Sequence, residues 1–337
     1  MRRFKKSRPG FAALLVAALL LFTGISAEAA CPVSPLMGAS GRMVLQAGTA
    51  GQSGAQAGTA GQTGAPAGSS GQAALPADSA YHEDKAEGTD TAKIDLSSTA
   101  DGIVAVSVVS SKKCKFQAIM GEQTYTYDVA SDGTPGIFPV QCGNGTYTFR
   151  ILENVTGSKY GLLYTTEADV TLTDEFQPFL RPSDYSDYSA ESLCVKKAAE
   201  LAANCKTDND VVKAIYDFVC KTVVYDREKA ANLQVGYMPV PDETMTTGKG
   251  ICFDYASLAA AMLRSQGIPT KLVFGYVAPD DLYHAWNMFY TEETGWVTVD
   301  YQVSKDTWNR IDLTFSANGA DGKFIGNGSN YADLYYY

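Results

Sequence analysis

The stretch from Thr247 to Gly267 constrains the fold of this chain more than any other segment. It begins with a glycine-bearing loop, Thr-Gly-Lys-Gly-Ile, and continues into a run whose apolar residues recur at intervals of three and four. This spacing predicts a helix with one apolar face that begins at or beside Cys252. Gly267 stands where a helix-ending glycine is expected, and Pro269 prevents the helix from continuing.

Cys252 is therefore predicted to lie in or next to the first turn of a helix. The unpaired backbone N–H groups there and the positive end of the helix dipole both favour an anion. A thiol at such a position becomes a thiolate more easily, and the thiolate is the nucleophilic form. The alternative for this cysteine alone is a small buried apolar residue with no chemical role.

The sequence offers one histidine within the expected fold as a partner for Cys252. It contains two, and His82 lies in a polar run to which we assign no role, which leaves His284. A strand beginning at His284 alternates, and we expect the next strand, which ends at Asp300, to pair with it as a hairpin. Asp300 would then orient the imidazole, whose other nitrogen would accept the Cys252 proton. A buried structural histidine and an acid at a strand end are the alternative.

Residues 190–302 resemble the transglutaminase-like domain of the papain-like cysteine-enzyme superfamily. The resemblance rests on four blocks that follow one another in the expected order. They are Gly-Lys-Gly-Ile-Cys252-Phe-Asp-Tyr-Ala-Ser-Leu, Leu263-Arg-Ser-Gln-Gly-Ile-Pro-Thr-Lys-Leu-Val-Phe-Gly-Tyr276, His284-Ala-Trp-Asn and Gly295-Trp-Val-Thr-Val-Asp300. It implies an α+β fold in which the helix carrying the cysteine packs on an antiparallel sheet. It also implies Cys252 as nucleophile, His284 as general base and acid, and Asp300 as the residue that orients it.

The activity implied by this resemblance is attack on a protein or peptide amide through a thioester, resolved by water or by an amine. The backbone N–H of Cys252 is the expected oxyanion donor, and Tyr225 and Tyr237 are the candidates for a second one. No acidic loop has calcium spacing, so we expect neither a metal nor another cofactor. The alternative is a non-catalytic surface binding or scaffold protein whose β domain does the binding.

The chain before residue 93 is predicted to contain no folded domain. Residues 1–30 have the basic start, short apolar run and small-residue cleavage pattern of a signal peptide. Residues 31–92 read as a disordered low-complexity linker, because decapeptide repeats within them carry no large apolar residues. Cys31 follows the cleavage pattern, and a lipid on this residue is the one membrane anchor that the sequence offers.

Residues 93–173 are predicted to form a small β-sandwich of immunoglobulin-like type, because short β-rich runs alternate there with turn signals. Residues 174–337 are assigned to the transglutaminase-like domain. Cys114 and Cys142 are the most plausible disulfide pair, with reduced thiols as an equal alternative.

The net charge of −10 argues against a nucleic-acid partner. The signal-peptide pattern predicts a secreted or cell-surface protein, and the resemblance implies protein or peptide substrates, with cell-wall-associated ones among the candidates.

Overall fold

A computed structural model of the chain describes residues 81–234, 236–298, 301–319 and 328–337. The predicted signal peptide, Cys31 and the decapeptide repeats lie outside these residues. Among the helices of the described ranges, none combines the length and the apolar character that a membrane span requires.

The N-terminal module consists of two four-stranded antiparallel sheets. One sheet has the strand order β1-β2-β3-β6, and the other has the order β5-β4-β7-β8. The strands are Glu87–Gly88 (β1), Ala92–Asp95 (β2), Ile103–Val108 (β3), Cys114–Met120 (β4), Gln123–Val129 (β5), Gly136–Pro139 (β6), Gly145–Thr156 (β7) and Lys159–Val170 (β8). Apolar side chains from both sheets share one buried cluster, so the sheets pack face to face. The immunoglobulin-like connectivity stays a prediction.

The described structure begins at Tyr81, within the segment that the sequence assigned to the linker. The His82 ring lies 3.0 Å from Asp95, with Nδ1 facing Oδ2, and the His82 backbone N–H donates to the same oxygen at 2.7 Å. Asp95 is buried at the end of β2. Hydrogen bonds to one buried carboxylate thus fix a polar segment whose composition gives no sign of order.

The C-terminal part combines helices with a four-stranded antiparallel sheet of order β15-β12-β11-β16. The helices are Leu193–Ala202 (α1), Asp208–Thr222 (α2), Arg227–Ala231 (α3), Pro241–Thr247 (α4), Cys252–Arg264 (α5) and Leu313–Ala317 (α6). The strands are Val224–Tyr225 (β9), Lys249–Gly250 (β10), Thr270–Val277 (β11), Leu282–Thr291 (β12), Gly295–Thr298 (β13), Tyr301–Val303 (β14), Thr307–Ile311 (β15) and Tyr331–Tyr336 (β16). Helix α5 is buried along almost its whole length and packs against β11 and β12.

The strand that pairs with the His284 strand differs from the one that the sequence indicated. β12 pairs with β11 on one side and with β15 on the other, whereas β13 pairs with β14 in a separate two-stranded sheet. The predicted hairpin of the His284 strand with the strand that follows it is therefore wrong. β15 can take that place because its inward-facing Asn309 and Ile311 are buried beside β12.

The two modules share one aromatic core rather than meeting through a linker alone. The ring of Tyr337 lies 5.6 Å from the ring of Tyr127 in the β module and 4.5 Å from Tyr185 in the connecting segment. Tyr185 in turn contacts Phe253, at 5.4 Å between ring centroids. Since Phe253 directly follows Cys252, the β module supports the start of the nucleophile helix.

All six cysteines among the described residues are free thiols. The disulfide between Cys114 and Cys142 that the sequence left open therefore does not form in this structure.

Candidate active site

Cys252 is the first residue of helix α5, as the sequence predicted. The chain reaches it from helix α4 through Gly248, which adopts a left-handed conformation at φ 63° and ends that helix. Gly250 then passes so close to the new helix that a Cβ there would lie 2.5 Å from the Cβ of Asp254. Both glycines of the loop are therefore needed to deliver the thiol to the helix start.

Asp254 holds the first turn of this helix in place. Its Oδ2 accepts a hydrogen bond from the Ile251 backbone N–H at 2.7 Å, which satisfies one of the unpaired donors of the helix start. Lys229 Nζ lies 3.1 Å and 3.0 Å from the two carboxylate oxygens, and the Tyr237 hydroxyl donates to Oδ1. Asp254 is completely buried, so these donors stabilise a charge that water cannot reach.

The two tyrosines that were candidates for an oxyanion donor have different positions. The Tyr237 hydroxyl donates to Asp254 in the first turn of the helix, so this hydrogen is not directed at a substrate oxygen. Tyr225 ends β9, which pairs in parallel with β10 directly before Cys252. Burial, and after it the negative charge of a Cys252 thiolate, raises the pKa of Tyr225. Tyr225 therefore lies near the sulfur and stays protonated as a hydrogen-bond donor.

His284 lies on β12 with only 3% of its surface exposed. Its Nε2 is 2.8 Å from Oδ2 of Asp312, and its ring stacks on Phe315 with 4.4 Å between centroids. The negative charge of a Cys252 thiolate also acts on this ring, so the sulfur lies near it. Because Nε2 is occupied by Asp312, Nδ1 is the nitrogen left for the thiol.

The charges around His284 favour its protonated form. Burial by itself would lower the pKa of His284, but the negative charge of Asp312, followed by that of Cys252 and the hydrogen bond to Asp312, raises this pKa to about 10. Imidazolium and thiolate are therefore mutually stabilising in this site. Such a pair gives a sulfur that is ready for attack and a proton that is ready for a leaving group.

Asp312 is held from both sides. It immediately follows β15 and caps helix α6, where its Oδ1 accepts from the Phe315 backbone N–H at 2.9 Å. Its Oδ2 accepts from the Tyr331 hydroxyl at 2.9 Å as well as from His284. The carboxylate is completely buried, so its orientation toward the ring is fixed by protein donors rather than by water.

The structure thus brings Cys252 and His284 together, and the described carboxylate that reaches His284 is Asp312. Asp300, the orienting residue expected from the sequence, lies outside the described residues, and its role stays a prediction. Sequence reasoning missed Asp312 although a signal was present. The segment Trp308-Asn-Arg-Ile-Asp312 repeats the tryptophan-to-aspartate spacing of Trp296-Val-Thr-Val-Asp300.

The contacts described so far can support acyl transfer. A thiolate can add to a carbonyl carbon, the imidazolium can protonate the departing amine, and the carboxylate keeps the imidazole in one tautomer. Within the described ranges, no group of three or more His, Cys, Asp or Glu side chains is placed to hold a metal ion.

Comparisons with known proteins identify the domain that carries this site. Residues 195–301 match the model of the Transglutaminase-like superfamily. The chain is 36% identical over 81 residues to a protein-glutamine gamma-glutamyltransferase of Pseudomonas aeruginosa. The matched segment covers 20% of this chain and 12% of that enzyme. It is also 27% identical over 182 residues to an uncharacterized protein of Mycobacterium bovis. This match covers 49% of this chain and 50% of the mycobacterial protein. The chain thus spans about half of the mycobacterial relative and a small part of the Pseudomonas enzyme.

Among solved structures, the chain is similar to a cysteine protease candidate from Cytophaga hutchinsonii. The TM-score is 0.37 at 17% identity, with 74% of this chain and 82% of the other covered. The matched family model ends before Asp312 and Tyr331.

Proposed function

Residues 195–301 form a transglutaminase-like domain, and we propose that it works as a cysteine-dependent acyl-transfer enzyme on protein or peptide amides. The observation that carries the proposal is the hydrogen bond from His284 to the buried Asp312, together with the electrostatic effect of Cys252 on the same ring. Within this proposal Cys252 is the nucleophile, His284 the general acid and base, and Asp312 the residue that orients His284.

The reaction begins when the Cys252 thiolate adds to the carbonyl carbon of a substrate amide. The backbone N–H of Cys252, at the start of a helix, is placed to stabilise the oxyanion that forms. As the carbon–nitrogen bond breaks, His284 gives its proton to the leaving amine, and a thioester remains on the sulfur. His284, now neutral, takes a proton from the second nucleophile, which attacks the thioester and regenerates the thiol–imidazole pair.

The second nucleophile decides whether the product is a hydrolysed or a newly joined chain. Water gives a carboxylate, as in a peptidase or amidase, and a lysine amine gives an isopeptide bond. The name of the Pseudomonas relative, a protein-glutamine gamma-glutamyltransferase, favours testing glutamine transfer first. The chemistry up to the thioester is the same in both cases.

The test incubates the purified protein with a glutamine-containing protein as acyl donor and a fluorescent primary amine as acyl acceptor. Amine incorporation that is lost in Cys252→Ala supports transfer, and substrate cleavage that is lost in the same variant supports hydrolysis. Neither product, with the wild-type protein behaving like Cys252→Ala, would count against catalysis. It would favour the alternative in which the β module serves as a binding scaffold.

We further propose that the enzyme acts outside the cell or at its surface. The basic and apolar pattern of residues 1–30 supports export, and the repeats that follow would give the folded part reach. Cell fractionation with and without residues 1–30 tests the proposal. Recovery of the full chain in the cytoplasm would contradict it.

A further inference from the structure

The C-terminal strand β16 lies at one edge of the catalytic sheet, beyond the region matched by the family model. It pairs with β11, and the register shifts between Phe274 and Gly275. A Cβ on Gly275 would lie 2.1 Å from the Ala332 backbone oxygen and 2.7 Å from the Trp286 ring. The glycine therefore permits an approach of β16 that any other residue would block.

This close approach brings the first residue of β16, Tyr331, to the acid of the site. The Tyr331 hydroxyl donates to Asp312 Oδ2 at 2.9 Å, and the same oxygen faces His284 Nε2 at 2.8 Å. Burial, followed by the charge of Asp312 and the hydrogen bond to it, raises the pKa of Tyr331 far above its usual value. Tyr331 therefore remains a donor over the working range of a protein.

The Tyr331 ring is itself held firmly. Trp286 packs against it edge to face, with 4.9 Å between the ring centroids. The Arg310 guanidinium carbon lies 4.9 Å from the centroid of the Tyr331 ring. Arg310 also pairs with Asp333 of the same strand, with 2.8 Å between Nη2 and Oδ1. Contacts with side chains of β12 and β15 thus aim the hydroxyl at Asp312.

We infer that Tyr331 is a positioning residue that fixes the Asp312 carboxylate for its hydrogen bond to His284. The inference rests on the proposed function. The Phe315 N–H holds Oδ1 and Tyr331 holds Oδ2, so the carboxylate cannot rotate away from the ring. Without the hydroxyl, the carboxylate keeps one protein donor besides His284 and the orientation of the imidazole becomes looser.

The test compares Tyr331→Phe with Tyr336→Phe in the full chain. The two residues stand on the same strand, and the Tyr336 hydroxyl donates to Asp333 at 3.1 Å rather than to Asp312. Three readouts are taken: kcat and KM for the reaction found above, the alkylation rate of Cys252, and the downfield proton resonance of the His284 Nε2–H. Thermal unfolding of each variant shows whether the fold is retained.

Tyr331→Phe is expected to lower kcat roughly tenfold with little change in KM, since a hydrogen bond to a charged group is lost. It is also expected to shift or broaden the His284 resonance, whereas Tyr336→Phe leaves both within experimental error. If both variants leave kcat, the alkylation rate and the resonance unchanged, Tyr331 does not position Asp312. The resonance and the alkylation need no substrate, so this result can be told apart from a failure of the proposed reaction. If Tyr331→Phe does not fold, Tyr331→His is measured in its place, because it retains a hydrogen-bond donor. The inference then requires that the His284 resonance of Tyr331→His match that of the wild-type protein, and a different resonance would overturn it.

Discussion

Cys252 and Asp312 reach the same imidazole from two regions of the molecule that are built in different ways. The nucleophile is fixed by neighbours in the chain, because the loop glycines and Asp254 all lie within four residues of it. The acid is fixed by contacts across long stretches of sequence, since Asp312 is 28 residues from His284 and 19 from Tyr331. A change in strand pairing should therefore leave the position of Cys252 nearly unaltered and displace Asp312 from His284.

The largest effect is expected when the acid is changed without disturbing the fold. Asp312→Asn keeps an oxygen that can cap helix α6 but removes the charge that orients His284. We expect kcat to fall roughly ten-thousandfold, as at the orienting aspartate of a Ser-His-Asp triad, while the protein stays folded. Steady-state kinetics and thermal unfolding of the variant measure the two quantities.

Asp300→Asn is the matched control for that substitution. It changes the acid that the sequence motif indicates and leaves Asp312 in place, so activity should stay within a few-fold of wild type. A large loss for Asp300→Asn together with a small loss for Asp312→Asn would confirm Asp300 as the orienting residue that the sequence predicts.

The next effect concerns stability on the nucleophile side. Asp254→Ala leaves the buried Ile251 N–H without its acceptor and removes the partner of Lys229. We expect the free energy of unfolding to fall by about 3 kcal/mol, measured by chemical denaturation. Asp226→Ala is the control, because Asp226 caps the exposed helix α3 through the Lys229 N–H, and its removal should cost about 1 kcal/mol. Equal losses for the two variants would show that Asp254 is no more than a helix cap.

A substitution at the sheet edge separates the two regions most clearly. Gly275→Ala would force β16 away from β11 because of the contact with Ala332, at a cost of about 2 kcal/mol. We expect it to reduce kcat through the loss of Tyr331, while the alkylation of Cys252 at neutral pH changes less. Gly161→Ala, in β8, meets only a Val155 side chain and should leave both measurements unchanged. An unaltered kcat in Gly275→Ala would contradict the coupling of the acid to strand pairing.

The last effect concerns the pH dependence of stability that His284 contributes. The pKa of His284 is raised from 6.5 to about 10 in the folded protein by Asp312 and Cys252, against the opposing effect of burial. A raised pKa contributes stability that is complete below the unfolded value and is lost as pH rises through the folded value. Denaturation of wild type and His284→Gln should therefore converge between pH 6.5 and about 10. A constant difference across that window would show that the ring is not a proton acceptor in the fold.

These differences explain which parts of the site the sequence could predict. Helix α5 was predicted with its start at Cys252 because periodicity, a loop glycine and a C-terminal glycine are all local signals. The alternation of the His284 strand was also correct, and it places Ala285 and Phe289 against the helix side and Trp286 on the opposite face.

The strand partner of His284 could not be predicted in the same way. β13 and β15 each carry a tryptophan at a spacing of four before an aspartate, and both are short enough to pair with β12. The choice depends on long-range packing, which places the buried Ile311 beside β12, and a pattern in the sequence does not contain that contact. The order at Tyr81–Ala92 was missed for a related reason, because it depends on Asp95 rather than on composition.

The most direct test of the account is the rate of Cys252 alkylation by iodoacetamide at neutral pH, located by peptide mapping. Burial raises the pKa of the other described thiols, which are Cys114, Cys142, Cys194, Cys205 and Cys220, so they should react slowly. The account predicts that Cys252 is labelled faster than any of these five thiols and that this advantage is lost in His284→Gln. Labelling of Cys252 that follows an ordinary thiol in both proteins would contradict the thiolate–imidazolium pair on which the proposed function depends.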